Sequence, residues 1–316
     1  MTMTRRTFMA AAGAGLGLAA AASAAGTGSP GDAGARGGGG GGEEMATRPV
    51  PATGERVPVV GLGTWRTFDV GAAADRAPLA EVLRRFLAGG GRVIDSSPMY
   101  GRAEEVVGDL LAAADDRAAP FLATKVWTQG RAAGEAQARE SLRRLRSGRI
   151  DLMQIHNLLD WEEHLPALRE GKAAERWRYV GITHYARSAF AELERILRTE
   201  RVDFVQLPYS AATRDAEERL LPAAAETGTA VLVMRPFEEG ELFRTVKGRA
   251  LPGWAPELGA TSWSQVFLKF ILSHPAVTAV IPATAKPDHL SENLRAGFGP
   301  MPDAALRRRM AGELRF

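Results

Sequence analysis

From residue 57 onward, short apolar runs alternate with longer stretches in which apolar residues recur every three or four positions. The runs 59–62, 92–95, 121–125, 152–155, 179–182, 204–207, 230–234 and 279–281 are largely free of polar interruptions. Such runs predict strands covered on both faces. Between them, residues 78–87 place Leu79, Val82, Leu83 and Phe86 at helical spacing. Residues 103–111 open beside Glu104 and Glu105, acids that favour a helix N-terminus. Further helices are predicted over 134–146, 163–171, 188–198, 215–226, 261–273 and 287–296. Ser262 and Gln265 have capping-box spacing, and Pro287 suits a first helical turn.

Eight strand-to-helix units in about 250 residues predict an α/β fold of the (β/α)8 TIM-barrel type. The competing architecture is an open, doubly wound sheet. That fold usually announces a dinucleotide site with three spaced glycines after its first strand. Here the first strand runs into Gly61-Leu62-Gly63-Thr64-Trp65-Arg66, with no third glycine in place, so the barrel is favoured.

The chain ahead of this region has a different grain. Thr4-Arg5-Arg6-Thr7-Phe8-Met9 is followed by a weakly apolar Ala/Gly/Leu run that contains Ala22-Ser23-Ala24. A basic start, a short apolar stretch and small residues at the exit describe a secretory signal over 1–25. The paired arginines resemble a twin-arginine signal, which exports chains already folded. That route implies a periplasmic or extracytoplasmic location and the export machinery as a partner. It suits a protein that must acquire a cofactor before export. A disordered tail with a chance arginine pair is the plain alternative. Residues 26–47 include six consecutive glycines and are expected to form a flexible linker, with the folded domain spanning 48–316.

Composition narrows the chemistry. The 316 residues contain no cysteine, which removes disulfides, thiol nucleophiles and thiolate metal sites. Lys and Arg number 40 against 37 Asp and Glu. Arg5 and Arg6 supply two of the three excess positives, so no nucleic-acid footprint is indicated.

In a barrel, chemistry collects where strands hand over to helices. Those positions hold Thr64 and Trp65, Asp95 with Tyr100, Lys125 and Trp127, His156 with Asn157, Thr183 and His184, Gln206 with Tyr209, Arg235, and Thr284. Asp95 and Lys125 could be a buried ion pair serving only barrel closure. Joined by Tyr100, they become a proton donor with a cation that would tune the phenol toward working pH, the carboxylate keeping that cation charged and oriented. A lone histidine after a core strand is more often structural. Beside the other three groups, His156 can donate to a carbonyl oxygen, an arrangement suited to hydride addition. A metal-dependent hydrolase is disfavoured because only His156 and His184 sit at strand ends and no His-x-His pair occurs.

Asp95-Ser96-Ser97-Pro98-Met99-Tyr100-Gly101, Ala123-Thr124-Lys125-Val126 and Asp151-Leu152-Met153-Gln154-Ile155-His156-Asn157 resemble, in order, the Asp, Tyr, Lys and His segments of the aldo/keto reductases. The likeness covers roughly residues 50–300. It implies Tyr100 as proton donor, Lys125 and Asp95 as its tuning pair, and His156 as the group orienting a small-molecule carbonyl substrate. It also implies a nicotinamide cofactor held without a Rossmann motif. Thr64, Thr183, Gln206 and Arg235 are then expected near the nicotinamide half. His184 stands where the family usually has Asn, and Arg235 where many members have a stacking aromatic. Thr284, Lys286, His289, Glu292 and Asn293 are expected to hold the adenosine phosphate and adenine. Thr284 and Lys286 favour NADPH over NADH, although Ala283 and His289 replace basic residues common in NADP-preferring members. Trp65, Trp127 and Asn157 are expected substrate contacts. Trp161 and Trp254 are read as loop residues open to a binding role, and a monomer is expected. A nicotinamide-binding, redox-sensing or interaction subunit without turnover is the other reading, and the intact set of four argues against it.

Overall fold

The computed structural model describes residues 44–71, 73–114 and 120–314. The expected signal over 1–25, and the part of the expected linker over 26–43, lie outside the described residues. Among the described residues, packing already includes Met45, which is buried, and Ala46, whose N–H donates to the Gly297 carbonyl at 2.8 Å, ahead of the expected Arg48.

Two short strands absent from the sequence-based expectation come first. β1 (Thr47–Pro49) pairs antiparallel with β2 (Arg56–Pro58), and Val50 and Val57 enter the innermost apolar cluster. Three residues ending in proline offer no pattern long enough to predict.

Eight parallel strands follow in sequence order: β3 (Leu62–Gly63), β4 (Val93–Asp95), β5 (Phe121–Val126), β6 (Ile150–Ile155), β7 (Trp177–Thr183), β8 (Phe204–Pro208), β9 (Ala230–Met234) and β10 (Ala279–Val280). The Gly61 N–H donates to the Val280 carbonyl at 2.8 Å, and the Val280 N–H to the Val59 carbonyl at 2.9 Å. These bonds return the last strand to the first, and the sheet is a (β/α)8 TIM barrel.

The helices are α1 (Ala73–Ala88), α2 (Ala103–Ala112), α3 (Arg131–Arg144), α4 (Trp161–Ala173), α5 (Phe190–Glu200), α6 (Leu220–Thr227), α7 (Glu241–Thr245), α8 (Trp263–Leu272), α9 (Pro287–Arg295) and α10 (Ala304–Glu313). The short α7 and the terminal α10 add to the expected eight. The helix expected over 215–226 is broken into a 3-10 turn, Asp215–Glu217, and α6. The Ser262 hydroxyl accepts the Gln265 N–H as a cap, while Gln265 Oε1 reaches back to the Thr261 N–H. Trp161 opens α4 rather than lying in a loop, and Trp254 is fully buried with its ring N–H on Glu313 at 2.6 Å.

Strand alternation divides the core in two. Val93, Phe121, Ala123, Leu152, Tyr179, Phe204 and Leu232 point into the barrel, whereas Ile94, Leu122, Met153, Ile155, Val180 and Ile182 face the helices. Helices approach closely where side chains are small. A Cβ on Gly108 of α2 would lie 2.1 Å from the Arg144 carbonyl oxygen at the end of α3.

Candidate active site

Continuing the inward-facing register toward the carboxyl ends of the strands changes the layers from apolar to polar. Val93 is followed by Asp95, Ala123 by Lys125, Leu152 by Gln154 and His156, and Phe204 by Gln206. The parallel pairing sets Asp95 beside Ala123, Lys125 beside Gln154, and Gln154 beside Gly181. Gly181 leaves room there, since a Cβ would sit 3.0 Å from the Phe204 carbonyl oxygen and 3.1 Å from the Gln154 side chain.

Lys125, fully buried, donates from Nζ to Asp95 Oδ2 at 2.6 Å and to the Ser96 carbonyl at 2.8 Å. Asp95 Oδ1 accepts the amide N–H groups of Gln206 at 2.8 Å and Gln154 at 3.1 Å. Each carboxylate oxygen thus has a donor, the condition under which a charge tolerates burial. Burial pulls the Lys125 ammonium down, but the Asp95 charge, with help from Tyr100, outweighs it and holds Lys125 above the usual lysine value.

Tyr100 stands over this pair, with Lys125 Nζ 5.1 Å from its ring centroid. Burial pushes the phenol up, Lys125 pulls it down through charge and hydrogen bonding, and Asp95 pushes it up again. The net shift is upward. The expectation that the cation brings Tyr100 toward working pH is therefore corrected. The cation acts in the expected direction, but desolvation is stronger, and the phenol is held in its protonated form.

His156 meets the Tyr100 ring edge-on, with 5.6 Å between centroids, and Trp127 lies 6.5 Å from the imidazole. Burial, then Lys125, then His184 push His156 down to about 3, so the ring is neutral at working pH. Its Nδ1 lies 2.9 Å from the Ser97 hydroxyl.

A cavity of about 710 Å³ opens beside these groups. Asp95 and Tyr100 line it, together with the expected Thr64, Trp65, Gln206, Arg235, Thr284, His289, Glu292 and Asn293. Lys125 and His156 do not line it: Lys125 is fully buried, while the His156 ring, against Tyr100, keeps a small exposed surface. Thr183, Lys286, Trp127 and Asn157 lie outside it as well, against expectation. Thr183 is fully buried and its hydroxyl accepts the Asn157 N–H at 3.2 Å, so it braces a loop. Asn157 adopts left-handed backbone with φ 54°. The Lys286 N–H is taken by the Thr284 hydroxyl at 3.1 Å. Gln206 gives one of its two amide N–H groups to Asp95. Arg235 pairs with Glu239 at 2.7 Å, which also meets Arg66 at 3.3 Å, while its Nε is buried without a partner. His184 accepts the Ala186 N–H on Nδ1 at 3.0 Å, which leaves Nε2 to donate.

Several residues escaped the sequence reading. Gln154 could have been found, because it is polar in an otherwise apolar interior register. Met234 at the end of β9, Phe237 in the turn after it and Phe243 in α7 also line the cavity, a convergence that no periodicity encodes. Among the described residues no group of three or more His, Cys, Asp or Glu is placed to hold a metal ion.

Comparison with known proteins agrees with this geometry. The family model described as "Aldo/keto reductase family" matches residues 59–308. The chain is 28% identical over 244 residues to methylglyoxal reductase YeaE of Escherichia coli K12, covering 75% of this chain and 84% of that protein. A solved aldo/keto reductase from Klebsiella pneumoniae, in complex with NADP and acetate, superposes with a TM-score of 0.70 at 26% identity, covering 83% of this chain and 93% of the other. A Klebsiella pneumoniae aldo-keto reductase in complex with NADPH also has a TM-score of 0.70, at 25% identity over 86% of this chain and 95% of its own.

Proposed function

This chain belongs to the aldo/keto reductase family, and on that premise we propose that it reduces aldehyde or ketone carbonyls to alcohols with NADPH. The observation that carries the reading is Tyr100, held protonated over the buried Asp95–Lys125 pair, beside a neutral His156.

The cavity suits a dinucleotide in its donor set. One end carries Asp95 and Tyr100; the other carries Thr284, His289, Glu292 and Asn293 around α9, whose N-terminus favours phosphate. The buried, unpartnered Nε of Arg235 adds a donor that a polar ligand can satisfy. When bound, the nicotinamide supplies the hydride. The chain's own residues handle the oxygen. His156 donates a hydrogen bond that polarises the carbonyl, and the Tyr100 hydroxyl gives up its proton as negative charge develops there. Lys125 favours the resulting phenolate, and Asp95, gripped by two glutamines, keeps Lys125 in place. Trp65, exposed at the mouth, offers an apolar face to the substrate.

Fluorescence titration of the purified protein with NADPH and with NADH tests cofactor binding. A low-micromolar response to NADPH, weaker with NADH, is expected; silence with both would favour a subunit without turnover. Tyr100→Phe should lower carbonyl reduction by about 10²–10⁴-fold while nucleotide affinity stays nearly intact. Retained turnover would remove Tyr100 from its role.

We further propose that residues 1–25 are a twin-arginine-type address, that the chain from 26 to 44 is a tether ending where Met45 packs, and that the protein acts outside the cytoplasm as a monomer. Arg5-Arg6 before Phe8, the Ala22-Ser23-Ala24 exit and the glycine run support this. Arg5→Lys with Arg6→Lys should hold the protein in the cytoplasm; unchanged export would refute the address.

A further inference from the structure

The turn that carries Tyr100 also touches His156, through a residue that the reaction as described does not use. Ser97 lies two positions beyond Asp95 and is fully buried. Its carbonyl accepts the Tyr100 N–H at 2.9 Å. Its hydroxyl oxygen accepts the Met99 N–H at 3.2 Å and stands 2.9 Å from His156 Nδ1.

A hydroxyl has one proton to give and two lone pairs to fill. The Met99 N–H, which can only donate, takes one lone pair. Among the described residues the His156 ring is the sole hydrogen-bond partner left for the proton. If Nδ1 carried the hydrogen instead, the Ser97 proton would be buried with nowhere to go, a costly arrangement. The ring therefore accepts at Nδ1 and keeps its own proton on Nε2.

We propose that Ser97 is a positioning residue that selects the Nε2–H tautomer of His156, so that the imidazole presents a donor and not a lone pair to the substrate oxygen. This rests on the carbonyl-reduction reading for its kinetic consequence, but not for its physical content. The β4-to-α2 turn then sets both groups that act on the oxygen: the phenol through its backbone and the imidazole through one hydroxyl. A lone pair facing a carbonyl oxygen would repel it, so the wrong tautomer is an inactive state.

The test is nitrogen NMR of protein labelled with ¹⁵N-histidine, the His156 signals being assigned by their loss in His156→Gln. The wild type should show a protonated Nε2 and an unprotonated, hydrogen-bonded Nδ1, in a ratio of at least about 10 to 1. In Ser97→Ala that ratio should fall at least threefold, kcat for carbonyl reduction should drop by about tenfold, and NADPH affinity should hold. Ser97→Thr, which keeps the hydroxyl, should restore both the tautomer and kcat. A protonated Nδ1 in the wild type, or an unchanged tautomer ratio in a folded Ser97→Ala, would overturn the assignment. The spectrum is readable without turnover. Absence of carbonyl reduction in the wild type would therefore sink the proposed function while the tautomer result still decides the role of Ser97.

Discussion

Replacing Lys125 with methionine keeps the length of the side chain and removes its charge. At 2.6 Å and an effective dielectric of ~20, the attraction between Lys125 and Asp95 is about 6 kcal/mol before desolvation is subtracted. Both side chains are almost completely buried, at 0% and 3% exposure, so water cannot take the place of the missing partner. Asp95 would be left with the two glutamine amides alone. Breaking a buried pair in this way costs about 3–5 kcal/mol. With an unfolding entropy of ~2.1 cal/mol/K per residue over ~270 ordered residues, that is a fall in Tm of about 5–9 °C. Asp95→Asn alone should cost a similar amount by stranding the ammonium. The double variant should lose less than the sum of the two by at least about 2 kcal/mol, because no charge remains unpaired. Urea unfolding of the three variants measures the cycle. A cost below about 1 kcal/mol for Lys125→Met, or strict additivity, would show that the pair is not the buried, coupled unit described. Carbonyl reduction by Lys125→Met should fall by about 10²–10⁴-fold, since the cation opposing the burial-driven rise of Tyr100 is gone.

Stability should also depend on pH through two neutral rings, one buried and one half-buried. His156 is pushed down to about 3 and His274 to about 4, against ~6.5 when unfolded. As pH falls below ~6.5 the unfolded chain binds protons first, so the stability from these rings is complete above that value and drains away toward 3 and 4. Each ring contributes a slope approaching ~1.4 kcal/mol per pH unit; urea midpoints at pH 7 and pH 5 read it, and His156→Gln with His274→Gln should flatten it. The kcat/KM for carbonyl reduction should show no basic limb between pH 6 and 9, because Tyr100 sits above the ordinary tyrosine value; a limb near pH 8 would contradict that. Gly108→Ala should lower stability by about 1–3 kcal/mol, its new methyl meeting the Arg144 carbonyl, and a neutral result in thermal melts would mean that α2 and α3 can move apart. Glu239→Ala breaks the exposed chain linking Arg66 and Arg235 across the cavity, and should change stability by less than ~1 kcal/mol while speeding nucleotide release in stopped-flow fluorescence.

Much of the barrel is legible locally. A strand buried on both faces must be apolar throughout, and a helix packed on it must be apolar on one side, so the eight alternating runs declare themselves without knowledge of their neighbours. The β1–β2 hairpin escaped because its three-residue strands are shorter than any reliable period. Asp95, Tyr100, Lys125 and His156 were readable because each ends or follows an apolar run, where a charged or polar group needs a reason to be.

What each of those groups touches was not readable. Gln206, expected on a nicotinamide, gives one amide N–H to Asp95, the Thr183 hydroxyl takes the Asn157 N–H, and the Thr284 hydroxyl takes the Lys286 backbone N–H. The net shift of Tyr100 was unreadable for the same reason. A sequence shows that a cation lies one strand away, but desolvation depends on how many atoms from distant segments close around the phenol, and here burial outweighs the Lys125 charge. Local order along the chain therefore determined the architecture and the identity of the candidate site groups. Only the closed barrel, which fixes distances between residues far apart in sequence, decided their partners, their protonation and the wall of the cavity, because electrostatic and hydrogen-bond energies vary steeply with separation and burial.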